Sequence, residues 1–577
     1  MSDIIITFPR LNQFWNDSGV LGLYRCIIGD IHQEPQRGVD NPRTHLDAKF
    51  QTSTKLEADQ LVISGEADAV QGLLETAYND CLIKHYYDLS SQKQWEEMTS
   101  HNFFLNAEGV FESFPKRKAR GIAAFIYDKA PRPAGEQVKW ADKTPRKLPD
   151  DNIHLHDRLD QFLEHQKLKP GPPAGMLINE PNRVRPKVII QVQEPNRKST
   201  RKTSPCFLCG GTSSKMEKMN QTIFPFMTGE SGVLSFFSTT RGATQVCWRC
   251  SFIGKFVPVN GFYIQSGDRM HMFFPFAPNL CKMNDVYNRL IGITEWEPNF
   301  YRNIDQQLGG YFTHPSEMAF AFLHRVYAEL TTEDELNEED PFEDEEFQRE
   351  ISNLAFKDAP LSFFIISTEQ KGQIQMPTQV RLYDDLVYLF RLFRHLRKKN
   401  MRWKSIAQNM LDFTAVKDDN KSLKRNRMLD AVLTKQSILK QAETFAFHVN
   451  RSENRYIAPL FEFTTQYETL LKGEHKMEKE ALDAAVALGR RIGAAVAKES
   501  GKKGNLFSLR KCRKLSDFLN ELNRLQFRFN VVIPPAVYEG YLTDANFEEF
   551  KGFCLLAGLN AFNAGTAPKR ETTTQTN

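Results

Sequence analysis

The feature that most constrains this chain is a pair of C-x-x-C motifs, Cys206-Phe-Leu-Cys209 and Cys247-Trp-Arg-Cys250, separated by thirty-seven residues. Each pair can present two thiolates from one tight turn, and four thiolates close a tetrahedral site for which structural Zn2+ is the expected ion. The gap exceeds the roughly 15–20 residues of a common zinc ribbon, so the second knuckle must return to the first after an inserted lobe, residues 213–241. Gly210 and Gly211 follow the first pair, where a knuckle turn calls for positive φ. Two local disulfides or redox pairs are the alternatives, but neither motif sits in the βαβ setting of a thioredoxin-like site. A closed four-thiolate site has no open coordination position, so it clamps and does not catalyse.

The other five cysteines, Cys26, Cys81, Cys281, Cys512 and Cys554, show no framework spacing, which fits a reducing cytosol. Met1 to Pro9 lacks the basic start and apolar core of a signal peptide. No run reaches the roughly 18 apolar residues of a membrane span, so a soluble cytoplasmic protein with no membrane partner is expected. The net charge of +4 conceals an asymmetry: residues 333–350 hold eleven Asp or Glu against one Arg, leaving +14 on the remainder.

The expected fold class is α+β, with a mixed α/β N-terminal region, a central four-cysteine zinc-knuckle element and a C-terminal α-helical bundle. Residues 1–110 form the N-terminal lobe. In it Asp17 or Ser18 caps a helix whose Gly19 and Gly22 allow close packing, Lys55 to Ile63 alternates like a strand, and Asp68 to Tyr87 reads as a helix. Residues 111–202 are proline-rich and basic, with Lys116, Arg117, Lys118 and Arg120 on a turn after Pro115; such loops suit phosphate backbones. Residues 203–360 hold the knuckles, a core strand Met270–Phe274 in which His271 reads as a satisfied core histidine, a helix from Ser316 to Leu330, and the acidic insertion 333–350.

Residues 361–563 begin with a short β unit and become helical. Leu382, Leu386, Leu389, Phe393 and Leu396 make one apolar stripe, and Leu482, Val486, Ile492 and Val496 line another. Arg490, Arg491, Lys498, Lys502, Lys503, Arg510, Lys511, Arg513 and Lys514 give nine positive charges against one negative between residues 490 and 514, a basic face suited to nucleic acid. Residues 564–577 read as a polar, disordered tail.

The chain carries no phosphate-binding G-x-x-x-x-G-K-[ST] loop and no H-E-x-x-H zinc motif. His154, His156 and Asp157 superficially resemble the His-Asp pair of metal-dependent nucleases, without a further cluster at useful spacing, so no catalytic residues are expected. A metal clamp, basic loops and a basic bundle describe a nucleic-acid binder and not an enzyme.

Three places resemble the large subunit of type I-B CRISPR interference complexes (Cascade), the group marked by paired C-x-x-C motifs. Trp15-Asn16 with Gly19-Val20-Leu21-Gly22-Leu23 is similar to that family's opening helix, and the cysteine quartet matches its knuckles. Residues 485–562, through Gly489-Arg490-Arg491-Ile492-Gly493 and Arg513-Lys514-Leu515-Ser516-Asp517-Phe518-Leu519, resemble its helical end. The resemblance implies a protein at the 5′ end of a guide (CRISPR) RNA complex, beside the Cascade backbone and 5′-end subunits. It would recognise the protospacer-adjacent motif in double-stranded target DNA, promote unwinding and R-loop formation, and guide the displaced strand, while base pairing reads the sequence. The partner recruited afterwards would be a helicase-nuclease in antiviral defence or a transposition adaptor in a transposon-associated system. The family also implies a small subunit made from an internal start, for which Met401, Met410 and Met428 are candidates. The alternative is a zinc-containing DNA-binding accessory protein outside CRISPR, although no helix-turn-helix or zinc-finger helix spacing points there.

Overall fold

One helix, Phe14–Ile28 (α1), organises the N-terminal part because two of its residues lack side chains where other backbone must pass. In the computed structural model a Cβ on Gly19 would lie 2.4 Å from the Ile253 carbonyl oxygen, and one on Gly22 2.1 Å from that of Phe256. The structure describes residues 3–29, 46–79, 82, 103–105, 110–113, 133–134, 137–139, 156–165, 175–177, 182–183, 188–192, 204–213, 216–218, 245–266, 269–290, 314–330, 362–371, 374–384, 386–412, 415, 417–448, 457–471, 477–499 and 502–566. The fold is α+β, divided into one unit of residues 1–302 and 355–384 and another of residues 303–354 and 385–577.

In the first unit, β1 (Asp3–Pro9), β2 (Ser53–Leu56) and β3 (Gln60–Glu66) form an antiparallel sheet in the order β1-β3-β2. Strand alternation points Ile6, Phe8, Leu61 and Ile63 to one buried face, closed by the helix Ala67–Thr76 (α2) with Val70, Leu73 and Leu74. The single span read from Lys55 to Ile63 is therefore β2, a turn and the start of β3. The described helix α2 starts at Ala67, and the later part of the expected 68–87 helix falls mostly outside the described residues.

The stretch expected to be proline-rich loops holds a small sheet, in the order 111–113, 103–105, 175–177, 137–139. Four short strands lie beyond it: β4 (Ser204–Pro205), β5 (Thr212–Ser213), β6 (Met216–Lys218) and β7 (Gln245–Cys247). The helix Trp248–Phe256 (α3) then provides the backbone against which α1 lies. Strands β8 (Phe262–Ser266) and β9 (Arg269–Phe276) are joined by β10 (Ser362–Lys371) and β11 (Ile374–Tyr383) in one antiparallel sheet of order β8-β9-β10-β11. Phe14 stacks on Phe364 with ring centres 4.2 Å apart, and Trp15 meets Phe274 edge-on at 5.9 Å. His271 is fully buried on β9, the core histidine expected, bonded through Nδ1 to the Ser367 hydroxyl at 2.8 Å.

Arg25 is buried at the far end of α1. It donates to the side-chain oxygens of Asn284 (2.8 Å) and Asn288 (3.0 Å) and lies 3.8 Å over the Tyr287 ring, all on the helix Leu280–Leu290 (α4). One continuous core thus runs from Ile6 through Trp248 and Phe256 to Ile366. The N-terminal lobe and the knuckle region, read as separate from sequence, share that core. The β unit at 362–383 completes the sheet of this first unit and does not open the bundle.

Neither Asp17 nor Ser18 caps α1, since both lie buried inside it. Gln13 stands at the N-cap, and the buried Asp17 carboxylate accepts the Leu11 N–H at 2.9 Å with Arg10 at 3.4 Å. Burial pushes its pKa up to about 6 against the pull of those two groups.

The second unit is built from helices. Pro315–Leu330 (α5) precedes Val387–Lys398 (α6), Trp403–Asn409 (α7), Leu423–Leu433 (α8), Leu439–His448 (α9) and Ala458–Leu470 (α10). Lys479–Glu499 (α11), Gly504–Lys511 (α12), Leu515–Phe529 (α13) and Phe547–Thr566 (α14) follow. Helix α5, expected in the knuckle region, belongs here, pinned to α8 by the buried pair Arg425 to Glu317 at 2.9 Å. The Asn426 side chain caps α5 by accepting the Ser316 and Glu317 N–H groups at 2.9 and 3.2 Å. Glu468 of α10 does the same for α9 through Ile438 and Leu439.

The tightest contact joins α11 and α14, where a Cβ on Gly489 or Gly493 would sit 2.0 Å from the Cys554 or Gly558 carbonyl oxygen. The buried stripe of α11 is therefore Ala481, Ala485, Leu488, Gly489, Ile492, Gly493 and Val496. Leu482 and Val486, expected inward, are only half-buried. Leu382 likewise leaves the stripe assigned to it, being 44% exposed on β11 before α6 begins. Helix α14 runs to Thr566, past the expected start of the tail at Ala564.

Candidate metal centre and basic surface

The hairpin of β4 and β5 makes the first knuckle. Gly210 N–H donates to the Cys206 carbonyl and Cys206 N–H to that of Gly211, both at 2.8 Å, a tight return that needs the left-handed φ of 72° at Gly210. Gly211 does not share that conformation. Strand β7 makes the second knuckle: it delivers Cys247 to the N-cap of α3 and Cys250 to its first turn. Helix N-terminal N–H groups favour negative charge there.

Chain pairing brings the knuckles together despite the long insertion. Phe207 N–H donates to the Gln245 carbonyl at 3.0 Å, and Cys247 N–H to the Cys206 sulfur at 3.2 Å. The four sulfurs all lie within 4.8 Å of one another, with Cys209 Sγ 3.7 Å from Cys247 Sγ. A tetrahedron with Zn–S bonds of about 2.3 Å has edges of roughly 3.8 Å, so the donor set fits a tetrahedral ion. All four thiols are free of disulfide bonds. Among the described residues this is the one His, Cys, Asp or Glu cluster able to hold a metal ion.

Electrostatics argue the same way. The thiols of Cys209, Cys247 and Cys250 donate to Cys206 and pull its pKa far below the ordinary value, while Cys250, facing Cys206 first, is pushed far up. Bringing all four sulfurs to the thiolate form at this spacing needs a cation among them. Leu11, Leu208, Met216 and Val246 enclose the cluster, and Trp248 meets Phe8 edge-on at 6.3 Å, tying it to the main core.

Of the nucleic-acid candidates, Lys116, Arg117, Lys118 and Arg120 lie outside the described residues, as do the acidic stretch 333–350 and His154. Asp157 is exposed on the helix His156–His165. The C-terminal cations lie on α11, on α12 and in the segments beside them. Arg490 lies 5.6 Å from the Phe461 ring, and Arg491 donates to the Val532 carbonyl at 3.3 Å. Lys498, Lys502, Arg513 and Lys514 are exposed. Arg510 is partly withdrawn from solvent, bonded to Glu443 at 2.7 Å and Thr444 at 3.1 Å. Around it sit two rings that the sequence reading missed, Phe447 and Phe507, beside the expected cations Lys503 and Lys511. The signal was present, since Phe507 stands four residues from each lysine.

No protein-family model and no curated protein matches this chain. None of its described helices is long and apolar enough to cross a membrane.

Proposed function

We propose that this chain is the large subunit of a guide-RNA-directed DNA-binding complex of the type I-B Cascade kind, without catalytic residues of its own. The observation that carries this reading is the union of two of the resembling places: the knuckles close one four-sulfur site, and the helix they start is the one on which Gly19 and Gly22 of the opening helix rest. A bound Zn2+ would supply a crosslink between the two knuckles, held by Cys206, Cys209, Cys247 and Cys250. The chain's own residues do the rest: the basic run Lys116 to Arg120 grips duplex phosphates near the short motif that is read, and the cations between Arg490 and Lys514 hold the displaced strand with little sequence preference.

The test is reconstitution with guide RNA and the remaining subunits, read as retention of a target duplex. Replacing Lys116, Arg117, Lys118 and Arg120 together with Ala should weaken duplex binding and flatten its salt dependence by about one unit of slope per lost phosphate contact. An unchanged affinity and slope would remove that assignment.

A second expected product is a short C-terminal chain. Met428 is buried within α8, three residues after the Arg425 that holds α5, so a start there would begin mid-helix. Met401 precedes α7 and leaves α7 to α14 whole. Mass spectrometry of the purified complex should show a fragment beginning at Met401; a single full-length species contradicts this.

A further inference from the structure

Helix α12 carries one exposed aromatic ring between two lysines. Lys503, Phe507 and Lys511 are spaced by four residues and so share one face, while Leu506 and Leu509 turn inward. Phe507 is 43% exposed and meets Phe447 of α9 at 6.2 Å with the rings nearly perpendicular. Cations surround both rings: Lys511 Nζ lies 4.8 Å from the Phe507 centre and Arg510 4.7 Å from that of Phe447, while Lys503 Nζ donates to the Phe447 carbonyl at 3.5 Å. Glu443, the acidic group bonded to Arg510 here, is nine-tenths screened from solvent.

We propose that Phe507, backed by Phe447, is a stacking platform for an unpaired base, with Lys503 and Lys511 holding the phosphates on either side of it. An aromatic face attracts any base, whereas a paired base already has its neighbours in the duplex, so the ligand class is single-stranded nucleic acid. Lys511 has the long flexible stem needed to leave the ring for a phosphate as a base arrives. Perpendicular rings cannot both stack on one base, and Phe507 is the more exposed. The proposal rests on the reading that this basic region grips polynucleotide, and it supplies a non-ionic contact which that reading lacks.

The test uses the full chain and a labelled oligothymidylate of about 20 nucleotides, followed by anisotropy across a salt series. Phe507→Leu should lower affinity roughly 5- to 150-fold with the salt slope unchanged, because stacking and not charge is lost. Lys511→Gln should reduce the slope by about one. Phe507→Trp should bind at least as tightly as the parent chain, which separates loss of the ring from misfolding. An abasic oligomer with the same phosphates should bind parent and Phe507→Leu alike. If the parent chain binds but Phe507→Leu binds equally well, the platform is wrong and the polynucleotide reading stands. If the parent chain binds no single strand, both fall, and the patch is a protein-docking surface.

Discussion

Removing the metal proposed at the four cysteines, by chelation or by Cys250→Ser, should lower the first unfolding transition of the purified chain by at least about 3 kcal/mol of stability. The size follows from where the site sits. Cys250 lies in the first turn of α3, whose Ile253 and Phe256 carbonyls are the surface under Gly19 and Gly22. Loosening the knuckles therefore frees one wall of the core around α1. Structural zinc contributes about 10–16 kcal/mol in isolated finger peptides; here the loss is smaller, since Phe8, Trp248 and Phe252 keep the wall partly in place. Thiols must shed protons to bind, so each ligand makes apparent affinity fall about tenfold per pH unit below its own pKa. Metal content should accordingly drop as the solution is acidified. A Cys250→Ser chain that melts with the parent, or a parent purified without metal, contradicts the clamp.

Gly493→Leu should be as damaging in the second unit. The obstacle to a side chain at Gly493 is the Gly558 carbonyl, 2.0 Å from where its Cβ would stand, and backbone in a helix cannot rotate aside. Helices α11 and α14 would have to part, exposing Leu488, Ile492, Val496, Leu555 and Leu559, all buried. A loss of about 3 kcal/mol or more in denaturant unfolding is expected. Gly504→Ala, at a position with open space around it, should leave stability the same or slightly higher. Equal stability of the Gly493→Leu and parent chains would refute this packing.

These two sites also show how far the chain could be read without coordinates. The knuckles were legible because C-x-x-C spacing is set by local turn geometry, and Gly19 with Gly22 because two missing side chains one turn apart leave little else to explain them. The inward face of α11 is only partly legible: Leu482 and Val486 draw the eye by size, but a close helix crossing selects the smallest residues, Gly489 and Gly493. The β8-β9-β10-β11 sheet was cut in two because β9 and β10 are separated by residues 277–361, a distance that no local pattern spans. Asp17 looked like a helix cap because caps and buried acids share a residue type; only its bond back to Leu11 distinguishes them. The aromatic pair on α9 and α12 was hidden for the same reason as the sheet, its halves lying 60 residues apart.

The most direct measurement of the central claim is retention of a target duplex by a complex reconstituted with and without this chain, guide RNA and the other subunits held constant. The account predicts guide-dependent duplex binding only when the chain is present, with no cleavage of the DNA by the chain itself. Equal binding in its absence, or metal-dependent cutting by the isolated chain that His156→Ala abolishes, would contradict it.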